Sequence, residues 1–198
     1  MKKVFVTMLL VLLTAPTFAQ FGSGGFRLSE ENVYYGIRFG VTSASFSGDI
    51  DSGSKVGMTL AGVLGFRVSD SAPLYLESGL YYTERGGKIK GVKTVSEAGM
   101  GHADWKASYN VLEVPLLIKY GIETQSDFIL LPFIGPYFGY AIKTDDFNRA
   151  NMGFKAGCGF EYHQLYLEAG RQFGVTDILD GDASARSNAW FLNIGINF

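Results

Sequence analysis

Tyr35-Gly-Ile-Arg-Phe-Gly-Val-Thr42 sets Tyr35, Ile37, Phe39 and Val41 against Gly36, Arg38, Gly40 and Thr42. A period of two is that of an extended strand, whose side chains point alternately to opposite faces. One face is bulky and apolar, and the other is small or polar. Seven further segments repeat the scheme. Met58, Leu60, Leu64, Phe66 and Val68 oppose Gly57, Thr59, Ala61, Gly65 and Arg67, and Leu74, Leu76, Leu80 and Tyr82 oppose Tyr75, Glu77, Gly79, Tyr81 and Thr83. Leu112, Val114, Leu116, Ile118 and Tyr120 oppose Glu113, Pro115, Leu117 and Lys119, while Ile134, Phe138, Tyr140 and Ile142 oppose Gly135, Tyr137, Gly139 and Ala141. Phe154, Ala156, Cys158, Phe160 and Tyr162 oppose Gly153, Lys155, Gly157, Gly159 and Glu161. Leu165, Leu167, Ala169 and Phe173 oppose Tyr166, Glu168, Gly170 and Gln172, and Trp190, Leu192, Ile194, Ile196 and Phe198 oppose Phe191, Asn193, Gly195 and Asn197. Each segment has about the 9–11 residues that a tilted strand needs to cross a bilayer, and an even strand number is the rule for single-chain bacterial barrels.

The composition of the second face separates a membrane barrel from a soluble one. A water-facing surface is rich in Lys, Glu, Ser and Thr, whereas this face is mostly Gly, Ala and Tyr with one charge on most strands. Small residues suit the crowded interior of an eight-stranded barrel. Tyr34, Tyr35, Tyr82, Tyr120, Tyr162 and Trp190 near strand ends suit the headgroup level of a bilayer. The expected fold is therefore all-β: an eight-stranded antiparallel up-and-down transmembrane β-barrel. The interior would hold a balanced charge network of Arg38, Arg67, Lys119 and Lys155 with Glu77, Glu113, Glu161 and Glu168, since an unpaired buried charge costs several kcal/mol. Strict alternation aims Arg171 at lipid. Either it snorkels to anionic headgroups or a bulge rotates it inward.

Working outward, Lys2 and Lys3, an apolar run from Val4 to Leu13, and small residues at Thr17 and Ala19 form a cleavable secretory signal over residues 1–19. Residues 20–32 then make a flexible periplasmic N-terminal tail, and 33–198 the barrel. The expected links are Ser47–Lys55, Ser69–Pro73, Gly86–Ala107, Ile122–Asp127, Lys143–Asn151, a tight turn at His163, and Thr176–Ser187. The odd-numbered links are the longer ones, the asymmetry of barrels with short periplasmic turns and long outside loops. A Gram-negative outer membrane is the expected location.

The chain of 198 residues carries a net charge of −2 and 18% charged residues, so no basic face marks a nucleic-acid partner. The expected partners are outer-membrane lipid and lipopolysaccharide, the barrel-assembly machinery during biogenesis, and an envelope protein meeting the outside loops. The one cysteine, Cys158, excludes an internal disulfide and any CxxC site.

Leu112-Glu-Val-Pro-Leu-Leu-Ile-Lys-Tyr120 resembles the LEIPLLLKY-type segment of PorT-like outer-membrane β-barrel proteins, and Leu76-Glu-Ser-Gly-Leu-Tyr-Tyr-Thr-Glu-Arg-Gly-Gly87 resembles their preceding GLxYxxRG segment. The resemblance implies an OmpA- or OmpX-like eight-stranded barrel, and for some members service to a protein secretion system. The terminal Phe198, after an alternating strand, is similar to the ends of substrates of the barrel-assembly machinery.

Chemistry is sparse. Some small outer-membrane barrels modify lipid A with a His-Ser-acid set near the outer rim. Here His102 lies in the longest link with Glu97, Asp104 and Ser108 nearby, and His163 lies in a tight turn on the opposite side. Neither gives the geometry of a nucleophile and its base, so no catalytic residue is assigned. The acidic stretches Gly48–Gly53 and Asp177–Asp182 read as turns rather than calcium loops, lacking the closing Glu of an EF-hand. Gly22–Gly25 precedes no helix and is not a phosphate loop. No metal or cofactor is expected. The favoured role is structural or protein-interacting, without catalysis. Behind it come an accessory role in secretion or envelope assembly, a lipid A-modifying enzyme, and a small-solute channel.

Overall fold

The computed structural model describes Leu28 and residues 32–48, 52–69, 71–96, 99–124, 127–142, 150–176 and 185–198. Over 87–96 and 99–108 the backbone and its pairing are what is described. The strands are β1 (Val33–Gly48), β2 (Ser52–Arg67), β3 (Leu74–Ser96), β4 (Gly99–Tyr120), β5 (Ile122–Glu123), β6 (Phe128–Ala141), β7 (Ala150–Tyr162), β8 (Leu165–Gly174) and β9 (Ala185–Asn197). Every pairing is antiparallel, and the β4–β6 pairing closes the sheet into a ring. β1 meets β9 from Gly36↔Asn197 to Gly48↔Ala185. β4 meets β6 from Val111↔Ala141 to Lys119↔Phe133, with the two-residue β5 beside β6 at one rim. The result is a closed barrel of eight long strands, as the periodicity predicts.

The two faces are inverted relative to a soluble protein. Trp190, Ile134 and Leu165 are 62%, 60% and 57% exposed, whereas Arg38, Lys119 and Glu168 are each 0% exposed. A continuous girdle of large apolar side chains around a charged interior is stable only against hydrocarbon. Among the described residues no helix is long and apolar enough to cross a membrane; strands do the crossing.

The connections depart from expectation. Links one and three shrink to residues 49–51 and 97–98, because the strands run on. Gly86–Ala107, expected as a loop, is instead the outer part of β3 and β4, 23 and 22 residues long, paired up to Ser96↔Gly99. The period-two pattern is lost there for a physical reason: alternation is enforced only where one face of a strand must meet hydrocarbon. The odd links are thus not uniformly longer, and the asymmetry lies in strand extension. At the other end, β7 and β8 are joined by His163-Gln164, with His163 at φ 54°. The acidic stretches fall largely outside the described residues.

Residues 1–27 also lie outside the described residues. Leu28, expected in a flexible tail, is buried in the short-turn mouth of the barrel with Tyr34, Tyr75, Ile129, Leu131 and Tyr166. Its carbonyl accepts a 3.2 Å hydrogen bond from the Tyr75 hydroxyl. One apolar side chain there covers ring faces that would otherwise meet water at the mouth.

Candidate functional site

The interior is built by inward positions of every long strand. At the short-turn end Tyr34 fills the space left by Gly65, where a Cβ would stand 2.1 Å from the Tyr34 ring. The Tyr34 hydroxyl donates to Glu77 at 2.8 Å. Tyr166 likewise uses the space at Gly159, where a Cβ would lie 2.4 Å from its hydroxyl. Gly65 and Gly159 are therefore receptors for large rings from neighbouring strands.

Above this layer runs a zigzag of alternating charge. Arg38 stands 3.5 Å from Glu77, and Glu77 is 2.8 Å from Lys119. Lys119 is 4.0 Å from Glu168, and Glu168 is 3.7 Å from Lys155. Neutral donors complete it: Tyr166 donates to Glu168 at 3.1 Å and Asn193 does so at 2.7 Å, while Lys119 donates to Tyr166 at 2.7 Å. Aromatic faces back the cations. The Arg38 guanidinium lies 3.9 Å above the Tyr166 ring, and the Lys155 ammonium is 4.2 Å from both Tyr81 and Phe191. Nearer the hairpin end, Arg85 pairs with Glu113 at 2.6 Å, and Gln172 donates to Glu113 at 2.8 Å. Thr42, Thr59 and Thr83 link the walls of β1, β2 and β3 beside it. At the short-turn end Glu161 accepts from Asn197.

Seven of the eight expected lumen charges are buried inside: Arg38, Glu77, Glu113, Lys119, Lys155, Glu161 and Glu168. Arg67 is not among them. It is the last residue of β2, and its Nε donates to the Ser69 carbonyl at 3.0 Å, on the rim. Arg85 takes its place in the interior, so the buried set remains four basic to four acidic. Arg85 has the same parity as Glu77, Tyr81 and Thr83; the signal was present, but the Glu84-Arg-Gly-Gly87 run reads as the start of a loop.

Elsewhere chemistry stays thin. His102 sits opposite Lys93 near the hairpin tip, and His163 at the short-turn end, so the two histidines occupy opposite ends of the barrel. Among the described residues no three His, Cys, Asp or Glu side chains come together as metal ligands. Cys158 lies half-buried on the outward face. Arg171 faces outward, its guanidinium over the Phe173 and Trp190 rings at 4.9 and 5.2 Å.

Over residues 5–198 the sequence matches the family described as outer membrane protein beta-barrel domain. The chain belongs to this family. Three solved structures resemble this outer-membrane barrel. OprG from Pseudomonas aeruginosa is 13% identical, with 87% of this chain and 99% of that one covered and a TM-score of 0.53. Neisserial surface protein A is 18% identical over 85% and 100% of the two chains, TM-score 0.49. The attachment invasion locus protein Ail of Yersinia pestis, solved with the heparin analogue sucrose octasulfate, is 14% identical over 85% and 100%, TM-score 0.48. At such identities the likeness to OprG is one of fold. Comparison with curated proteins gives no match.

Proposed function

We propose that this outer-membrane barrel is non-catalytic and presents its β3–β4 hairpin as a contact surface for another envelope or external protein. The observation that carries this reading is the projecting hairpin. Among the described residues, β4 pairs with β6 only as far as Val111, and β2 accompanies β3 only to Ile89. Beyond those points the described residues of the hairpin form a two-stranded ribbon whose β4 edge, from Gly99 to Ser108, has no paired strand among them. Such an edge receives an extended segment by strand addition. A cleaved signal at residues 1–19 supports delivery through the periplasm, with the short-turn end facing the periplasm and the hairpin facing out. The interior supports a scaffold with a closed lumen: seven of the eight buried charges stand within 4.0 Å of an opposite charge, and Glu161 accepts from Asn197. The resemblance to PorT-like proteins rests on Leu76–Gly87 and Leu112–Tyr120. The inward charges of those segments, Glu77, Arg85, Glu113 and Lys119, all serve the interior network. The resemblance thus supports a shared architecture and carries no specific role in secretion.

The test is site-specific photo-crosslinking in intact cells, with the probe at Ala103 or Ala107 on the β4 edge and, as control, at Leu192 on the lipid face. Discrete protein adducts from the edge positions that disappear when Pro replaces Asp104 or Lys106 are expected. Even-numbered β4 residues turn their N–H groups away from β3, to the side on which the Asn110 carbonyl meets Ile142, and Pro removes that donor. A barrel that reaches the outer membrane but gives no edge adduct overturns the reading.

A further inference from the structure

Arg171 is an outward cation with no partner among the described residues, at a level where the barrel wall changes character. Pairing on both sides of it is unbroken, Ala156↔Arg171 with β7 and Arg171↔Trp190 with β9, so no bulge turns it inward. Its Nε is buried without a hydrogen-bond partner. The guanidinium lies over Phe173 and Trp190, and Trp190 is 62% exposed. Rings covering the faces of a guanidinium leave its edge N–H groups available, and that edge matches a phosphate bidentately. Ala156 stands opposite Arg171, and towards the short-turn end the small outward pair Cys158 and Ala169 follows before the Phe160–Leu167 pair. Towards the hairpin end, Phe154, Phe173 and Val175 keep the β7–β8 side apolar, whereas Asn188 and the outward serines of β1 make the β9–β1 side polar, with Asn188 donating to Ser47 at 2.7 Å.

We propose that Arg171, on its Phe173–Trp190 platform, binds a headgroup phosphate of a phosphorylated glycolipid in the outer leaflet, with one acyl chain lying over Ala156, Cys158 and Ala169. The polar β9–β1 side above fits the saccharide, the small residues beside and below the cation fit the chain, and Arg171 lies between them. A guanidinium at the edge of hydrocarbon binds an anion far more strongly than one in water, because little solvent screens the pair. The source of the phosphate as outer-leaflet glycolipid rests on the orientation proposed above.

Trp190 is the reporter. The sequence has two tryptophans, so Trp105→Phe leaves Trp190 alone. The full chain carrying that change is folded into phosphatidylcholine bilayers and titrated with diphosphoryl lipid A. The expected result is a saturable change in Trp190 emission, with half-saturation shifted roughly ten-fold or more by Arg171→Gln, as loss of a charge-assisted hydrogen bond requires. Arg171→Lys, which keeps the charge and loses the fork, is expected to fall between. Dephosphorylated lipid A and inorganic phosphate should leave the emission unchanged. Equal titrations for Arg171 and its Gln variant overturn the proposal, as does saturation by the dephosphorylated lipid. Phosphatidylglycerol matching lipid A overturns the glycolipid source. Protease cleavage of the hairpin on intact cells tests the orientation separately: with cleavage from outside, a negative titration counts against the Arg171 site alone. Since Arg171 lies outside the interior network, the variants should fold, and the gel shift of unboiled samples shows whether they do.

Discussion

Glu168 shows most directly how the interior depends on single atoms. It faces Lys119 and Lys155 and accepts from Tyr166 and Asn193. Replacing it with Ala would leave the buried Lys155 ammonium without its counter-charge, while Lys119 keeps Glu77, at a cost of about 3–5 kcal/mol, read as an earlier midpoint of urea unfolding in lipid vesicles. Arg85 and Glu113 lend themselves to a double-mutant cycle. Arg85→Met alone strands a carboxylate, whereas Arg85→Met with Glu113→Gln removes the charge from both sides and keeps a partner for Gln172. The double variant should be about 1–3 kcal/mol more stable than the summed single effects. Gly65→Ala would push a methyl group into the Tyr34 ring and should cost roughly 1–3 kcal/mol. Gly62→Ala, whose Cβ meets nothing within 4 Å, should stay within about 0.5 kcal/mol of the parent protein. The direction of nearly every strand side chain was legible in the sequence, because each alternates between lipid and interior. Arg67 and Arg85 were exchanged because parity says which way a residue points and not where the strand stops. Arg67 falls at the last residue of β2, and Arg85 lies well inside β3.

The elements follow the same logic. Strands were legible wherever lipid touched one face, from Tyr35–Thr42 to Trp190–Phe198, because hydrocarbon enforces the period. Nothing enforces it in the ribbon beyond Arg85, and twenty residues there read as loop although they pair as strand. A deletion that joins Gly87 to Ser108 through Asn-Gly is expected to keep the barrel closed and heat-modifiable, since the β4–β6 and β2–β3 ladders within the wall remain. The same deletion should abolish the edge adducts. A loss of folded barrel on deletion would show that the ribbon is part of the scaffold and not an appendage. Leu28 could not be found from periodicity. It belongs to no strand, and its burial depends on the cup of rings that Tyr34, Tyr75 and Tyr166 make only after the barrel has closed.

For the whole molecule, a closed wall and an interior crowded with ion pairs and rings predict two behaviours. Unboiled protein should migrate apart from boiled protein on a gel, as closed barrels resist detergent unfolding. Planar bilayers containing it should stay silent, and steady single-channel steps would show a continuous water path past the Glu77–Lys119–Glu168 zigzag. The seam has a consequence of its own. The Tyr35 and Phe198 backbones exchange both hydrogen bonds, at 3.0 and 2.8 Å, so the β1–β9 seam joins residues from opposite ends of the folded region. Such distant pairing is slow, and the wall cannot close until β9 has met β1. Until Phe198 arrives, β1 and β9 are two unmatched edges in a chain rich in apolar strands. The protein therefore has a vulnerable lifetime in transit, set by sequence separation rather than by stability. Cutting even Asn197 and Phe198 from the chain should prolong that interval and divert the product to aggregation or proteolysis.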